Sequence, residues 1–161
     1  MNVIAPVTDR HPVFDHPQLA SLLAELLPAG KPDAGTLLSL VDGLAREPKL
    51  TGLVQHDPVS RWYTRLALTV DLDVWLIGWA AGQATPLHDH GGAIGALRVV
   101  DGILREDAPQ RLGSRTRMFG RGSGASFGPD YAHRVSQAGP RPAISLHAYS
   151  PPSLPMRIIE G

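Results

Sequence analysis

The sequence predicts a mainly β protein, a small barrel with an N-terminal helical segment packed on it. Three observations carry this. Leucines recur at helical spacing before residue 61. From Arg61 onward the chain turns to short apolar runs rich in β-formers. Asp101-Gly102 then stands between two apolar runs, a hairpin signal. At 161 residues we expect one domain over 1–161, with 1–60 helical and 61–161 forming the barrel.

Asp15-His16-Pro17 can open a helix, with Pro in its first turn. Leu19, Leu22, Leu23, Leu26 and Leu27 continue it, and Pro28 to Gly30 stop it. A second helix is expected from about Gly35 to Arg46, with Leu37, Leu38, Val41 and Leu44 on its apolar face and Pro48 beyond. Among the strands, Asp73 to Trp79 is a mostly apolar run. Ala96 to Val100 and Ile103 to Arg105 flank the Asp-Gly turn, and Arg117-Met118-Phe119 is a further short strand. Gly120 to Gly124 lacks the Lys-Ser/Thr ending and following helix of a phosphate loop, so it reads as a turn.

Formal net charge is zero and the pI is near 7.1, so neither nucleic acid nor an anionic membrane surface is expected as a partner. No run is long and apolar enough to span a bilayer. Met1 to Pro6 lacks a basic region leading into an apolar core, so no secretory signal is expected and the cytoplasm is the expected location. The chain has no cysteine, which excludes disulfides and thiolate zinc sites.

The chemistry concentrates at Gly82-Gln-Ala-Thr-Pro-Leu-His88-Asp89-His90 and at His133. Residues two apart on a strand share a face, so His88 and His90 would project together with Asp89 opposite. A third imidazole from a neighbouring strand completes one face of a metal ion and leaves the other open. Such openness marks catalytic sites. No Glu or Asp stands among these ligands at the matching offset. Spacing alone leaves the metal open, since three histidines also suit zinc.

These residues resemble the first motif of the cupins, whose fold is a double-stranded β-helix. Gly82, His88, His90 and Gly102 match it, and Gly95 stands where the usual Glu would be. Gly128-Pro129-Asp130-Tyr131-Ala132-His133 resembles the second motif, with its Pro shifted and Gln137 in place of Asn. Ser145-Leu-His147-Ala-Tyr149-Ser-Pro-Pro152 and Tyr63-Thr64-Arg65 are similar to two segments of the cysteine dioxygenase family. That family uses three histidines and no carboxylate. The resemblance covers about Arg61 to Pro152.

The resemblance implies a thiol dioxygenase with one Fe(II) per chain, held by His88, His90 and His133. It implies L-cysteine and O2 as reactants and cysteine sulfinic acid as product. Ser145, His147 and Tyr149 alternate on one strand face. In the family, Ser orients His, His bonds the Tyr hydroxyl, and Tyr reaches the substrate. Arg65 is expected to grip the carboxylate, which a guanidinium fork does in bidentate fashion. Tyr63, Ile77, Trp79 and Val135 fall where the family lines its pocket. Some relatives crosslink a cysteine at the Gly95 position to the tyrosine. With no cysteine here, Tyr149 is a free phenol. The Ser150–Pro151 bond is expected to be cis.

Three other readings stand beside this one. The first is a dioxygenase for 3-mercaptopropionate or another small thiol, although such relatives tend to carry Gln at the Arg65 position. The second is a non-catalytic metal-binding cupin, a sensor or binding module, which has no need of the Ser145-His147-Tyr149 face. The third is a zinc lyase or hydrolase.

Overall fold

A computed structural model describes residues 12–152 and 156–159. Met1 to Pro6, read above for a signal, lies outside them. Pro17 opens a 3-10 turn that runs into α1, Ala20–Leu26. Asp33 caps α2, Ala34–Leu44, by accepting from the Thr36 amide. A third helix that the spacing did not foretell, α3, covers Lys49–Leu53. Its five residues are too few to display a helical period.

Strands follow: β1 Trp62–Leu68, β2 Asp73–Trp79, β3 His88–Asp89, β4 Ile94–Asp101, β5 Ile103–Gln110 and β6 Gly113–Phe119. Then come β7 Gly124–Phe127, β8 Arg134–Ala138, β9 Ala143–Ser150 and β10 Arg157–Ile158. The main sheet has the order β1-β2-β9-β4-β7, a second has β6-β5-β8, and β10 pairs with β3. All these pairings are antiparallel. Gly102 makes the β4–β5 turn at φ 76°, a backbone state open to glycine, and a Cβ there would lie 2.6 Å from the Pro142 carbonyl oxygen.

Strand β9 explains why the site lies where it does. Ile144, Leu146 and Ala148 point from one face into a core shared with the helices. There α2 lies against β4, β9 and β7. Leu37, Leu40, Val41 and Leu44 supply the helix side of that core. Ser145, His147 and Tyr149 take the other face by alternation, so they point into the barrel. A second core of Trp79, Leu97, Val99, Leu104, Phe119, Val135 and Ala143 fills the space between the two larger sheets.

Candidate metal centre and cleft

The three histidines come from two segments of the chain and meet inside the barrel. His88 opens β3, and its amide and carbonyl bond the backbone of His133. His90 follows two residues on. The ring centroids lie 4.9 to 5.0 Å apart pairwise, and one nitrogen from each lies within 4.8 Å of the others. All three are buried.

The hydrogen bonds assign the nitrogens. His88 Nδ1 bonds the Pro86 carbonyl at 2.9 Å, and His133 Nδ1 bonds Glu106 Oε2 at 2.9 Å. That leaves Nε2 free on both rings. Neither nitrogen of His90 has a partner although both are buried. Unpaired buried nitrogens are costly unless something binds them. Burial and the neighbouring imidazoles push the His90 pKa down to about 3, and burial also lowers that of His88. Buried rings with free nitrogens, held together, fit a metal ion, which takes imidazole in its neutral form.

Beside them runs a single hydrogen-bonded line. Trp79 Nε1 donates to Ser145 Oγ at 2.9 Å, Ser145 Oγ meets His147 Nε2 at 2.8 Å, and His147 Nδ1 meets the Tyr149 hydroxyl at 3.1 Å. Tyr149 also stacks on His90, with centroids 5.2 Å apart. Burial keeps His147 neutral and holds the Tyr149 hydroxyl protonated, well above its ordinary pKa.

A cleft of about 340 Å³ reaches this site from outside. His90, Tyr149, Tyr63, Ile77, Trp75 and Arg61 are among its lining residues. Of the sequence-predicted pocket residues, the structure therefore brings Tyr63 and Ile77 to the cleft. Trp79 and Val135 do not line it and sit in the inter-sheet core instead. Arg65 does not line it either. The chain ahead of the helices runs along β1, with Val13 bridging Leu68. This brings Asp15 to Arg65, whose Nε donates to Oδ2 at 2.7 Å.

The cation in the cleft is Arg61, which the sequence reading passed over. It packs over the Trp79 ring at 5.0 Å, and its buried Nε has no hydrogen-bond partner. Alternation could have found it, since Arg61, which immediately precedes β1, is two residues from Tyr63 in that strand. Asp73 and Ala93 also line the cleft. Gly95 lies opposite Tyr149 in the sheet, and a Cβ there would meet Phe127 Cζ at 2.4 Å. The ring of Phe127 thus occupies the space that a side chain at position 95 would need. The Ser150–Pro151 bond is cis, as expected.

A family model described as cysteine dioxygenase type I matches residues 18–158. No curated protein matches the chain significantly. Among solved structures, the chain is similar to an uncharacterized conserved protein with a double-stranded β-helix domain from Klebsiella pneumoniae subsp. pneumoniae MGH 78578. The TM-score is 0.61 at 18% identity, covering 72% of this chain and 98% of that one. TT1209 from Thermus thermophilus gives a TM-score of 0.57 at 18% identity, covering 64% and 94%. An oxalate oxidase in complex with the substrate analogue glycolate gives 0.56 at 16% identity, covering 70% and 62%. At these identities the likeness is one of fold, the double-stranded β-helix. Among the described residues, no helix is long and apolar enough to cross a membrane.

Proposed function

We propose that this chain, which belongs to the cysteine dioxygenase type I family, is a non-haem Fe(II) thiol dioxygenase that converts L-cysteine and O2 to cysteine sulfinic acid. The observation that carries the reading is the cluster of three buried histidines beside a tyrosine relay, with His90 and Tyr149 lining one cleft.

His88, His90 and His133 would hold the ion. When bound, Fe(II) supplies acidity to a thiol ligand and a path for electrons from sulfur to O2. The overall change breaks the S–H and O–O bonds and forms two S–O bonds, and the four electrons that sulfur loses are those that dioxygen gains. The thiol proton leaves to solvent, so no outside reductant is needed.

The chain's own groups bind and orient. Arg61 offers a guanidinium to the cysteine carboxylate, with aromatic and aliphatic walls around it. In such surroundings a carboxylate is costly without a partner, so the cation selects for it. Tyr149 holds its proton and directs it toward the cleft. The 3-mercaptopropionate reading shares the carboxylate and lacks the amine. The non-catalytic reading and the zinc reading share the three histidines but give the relay no task.

The test is metal analysis of protein purified without added metal, with oxygen uptake and product identification on L-cysteine and on 3-mercaptopropionate. One iron per chain and sulfinate from cysteine are expected. Zinc at full occupancy with no oxygen uptake, or faster turnover of 3-mercaptopropionate, would overturn the reading at the level of metal or substrate respectively.

A further inference from the structure

The ligand set has no carboxylate, yet a carboxylate stands directly behind it. Glu106 lies on β5, where Leu104, Glu106 and Ala108 alternate inward. It is 1% exposed. Its two oxygens have different partners. Oε1 accepts from Arg117 Nε at 2.9 Å, Arg117 Nη2 at 2.7 Å and the Tyr131 hydroxyl at 2.8 Å. Oε2 meets His133 Nδ1 at 2.9 Å. Arg117 also bonds the Tyr131 hydroxyl at 3.2 Å, which closes the clamp around Oε1.

From this division we infer that Glu106 is the positioning residue of the metal centre. It holds His133 through Nδ1, presents Nε2 to the ion, and supplies from behind the negative charge that the ligand set lacks. The inference rests on the reading that the three histidines bind metal.

An ion pair serving only to fill the barrel would need Arg117 and Glu106 and nothing more. Here the clamp uses a single oxygen and fixes the carboxylate plane, and the other oxygen is reserved for a histidine of the site. A histidine so held keeps one tautomer and one ring orientation, and its free nitrogen becomes a better donor. Three neutral imidazoles alone leave a divalent charge uncompensated. A buried anion one residue behind the ligand offsets part of it without taking a coordination position, so that position stays open for substrate. Arg117 balances the same carboxylate but lies on its far side, against Oε1.

The experiment titrates metal-free protein with Co(II) alone, following heat and the visible ligand-field bands. Wild type, Glu106→Gln, Arg117→Gln and His133→Ala are compared, with circular dichroism as the check on folding. Glu106→Gln is expected to bind Co(II) about 10–100-fold more weakly and with shifted bands, the range set by loss of an outer-shell partner. Arg117→Gln breaks the same ion pair but leaves Oε2 on His133, so its bands should stay as in wild type. If Glu106→Gln matches wild type in affinity and bands, or if Arg117→Gln shifts the bands equally, Glu106 is only part of the packing. If Glu106→Gln does not fold, Glu106→Asp decides. It keeps the charge and withdraws it from His133 by one methylene, so unchanged affinity would overturn the inference and weakened affinity would support it. His133→Ala separates the two levels: full Co(II) binding by that variant removes the three-histidine reading itself.

Discussion

The Trp79 indole N–H donates to Ser145 Oγ at 2.9 Å, and this bond sets the direction of the line beyond it. An indole N–H can only donate. It fills one of the two acceptor sites on Ser145, and the buried serine proton then finds its acceptor in His147 Nε2, 2.8 Å away. His147 is buried and neutral, so an acceptor at Nε2 places its proton on Nδ1. That proton goes to the Tyr149 oxygen at 3.1 Å. The phenol is thereby left with its own proton to donate into the cleft. Trp79, expected as a pocket wall, acts as the anchor of the line.

Removing the serine should reverse the line without removing the tyrosine. In Ser145→Ala, His147 can carry its proton on Nε2 and accept from Tyr149 at Nδ1, which turns the phenol away from substrate. Ser145→Ala and Tyr149→Phe should each lower turnover by about tenfold or more, equivalent to about 1.4 kcal/mol. The double variant should lose little beyond the worse single one, because groups acting as a unit are not additive. Steady-state rates at constant iron content test this. Losses that multiply would show that Ser145 and Tyr149 act separately.

Much of this was legible in the sequence, and what was not has physical causes. Asp73 to Trp79 was readable because β-formers fill it, and Asp101-Gly102 because only certain residues turn so tightly. The histidines were readable because a strand face repeats every second residue. Strands β7, β8 and β10 were missed, being short and without a clear apolar period. Glu106 carried a signal: a charged residue in an inward series of Leu104 and Ala108 must have buried partners. What the sequence could not give was Asp15 against Arg65, a contact between residues 50 positions apart. Arg65 has the motif position, and the packing of the N-terminal segment decides where its guanidinium goes.

Metal-free protein should lose stability as pH falls below about 6.5. Burial lowers the pKa of His88, His90 and His147, that of His90 from 6.5 to about 3. The unfolded chain therefore takes up protons first on acidification. Stability is fully present above the unfolded value and is lost between 6.5 and about 3. Glu106 adds to the loss at the acid end. Burial would raise its pKa, but bonds from His133, Tyr131 and Arg117 outweigh this and hold it down to about 2. Urea midpoints at several pH values check the sign. A midpoint that stays flat from pH 7 to pH 4 would mean that the histidines are protonated in the folded protein.

Gly95→Ala should damage both stability and the site. The added methyl would meet Phe127 Cζ at 2.4 Å and Tyr149 Cδ1 at 3.0 Å. Phe127 is itself stacked on His90 at 4.7 Å and on Tyr131 at 5.3 Å, so it has little room to yield. Overpacking of this kind costs about 1–3 kcal/mol. Urea denaturation at constant metal content measures that cost, and turnover should fall with it as the His90 ring is pushed. An unchanged midpoint would mean that Phe127 swings aside freely.

The two arginines of β1 and its approach can be told apart by what each contacts. Arg61 lines the cleft with an unpartnered buried Nε, whereas Arg65 spends its Nε on Asp15. If the cysteine carboxylate binds in the cleft, Arg61 is the group placed to receive it. A hydrogen bond to a charged group contributes about 1.5–3 kcal/mol. Arg61→Gln should thus lower kcat/KM for cysteine by at least about tenfold, taking 1.4 kcal/mol per decade. The loss should fall mainly on KM, with iron content unchanged. Cysteamine has no carboxylate, so its binding as a competitor of cysteine should weaken far less. Arg65→Gln should cost cysteine little beyond an exposed ion pair, which contributes about 0–1 kcal/mol. The reverse ranking, with Arg65→Gln the more damaging for cysteine and harmless for cysteamine, would return the carboxylate to Arg65. It would also mean that substrate displaces Asp15 from that guanidinium.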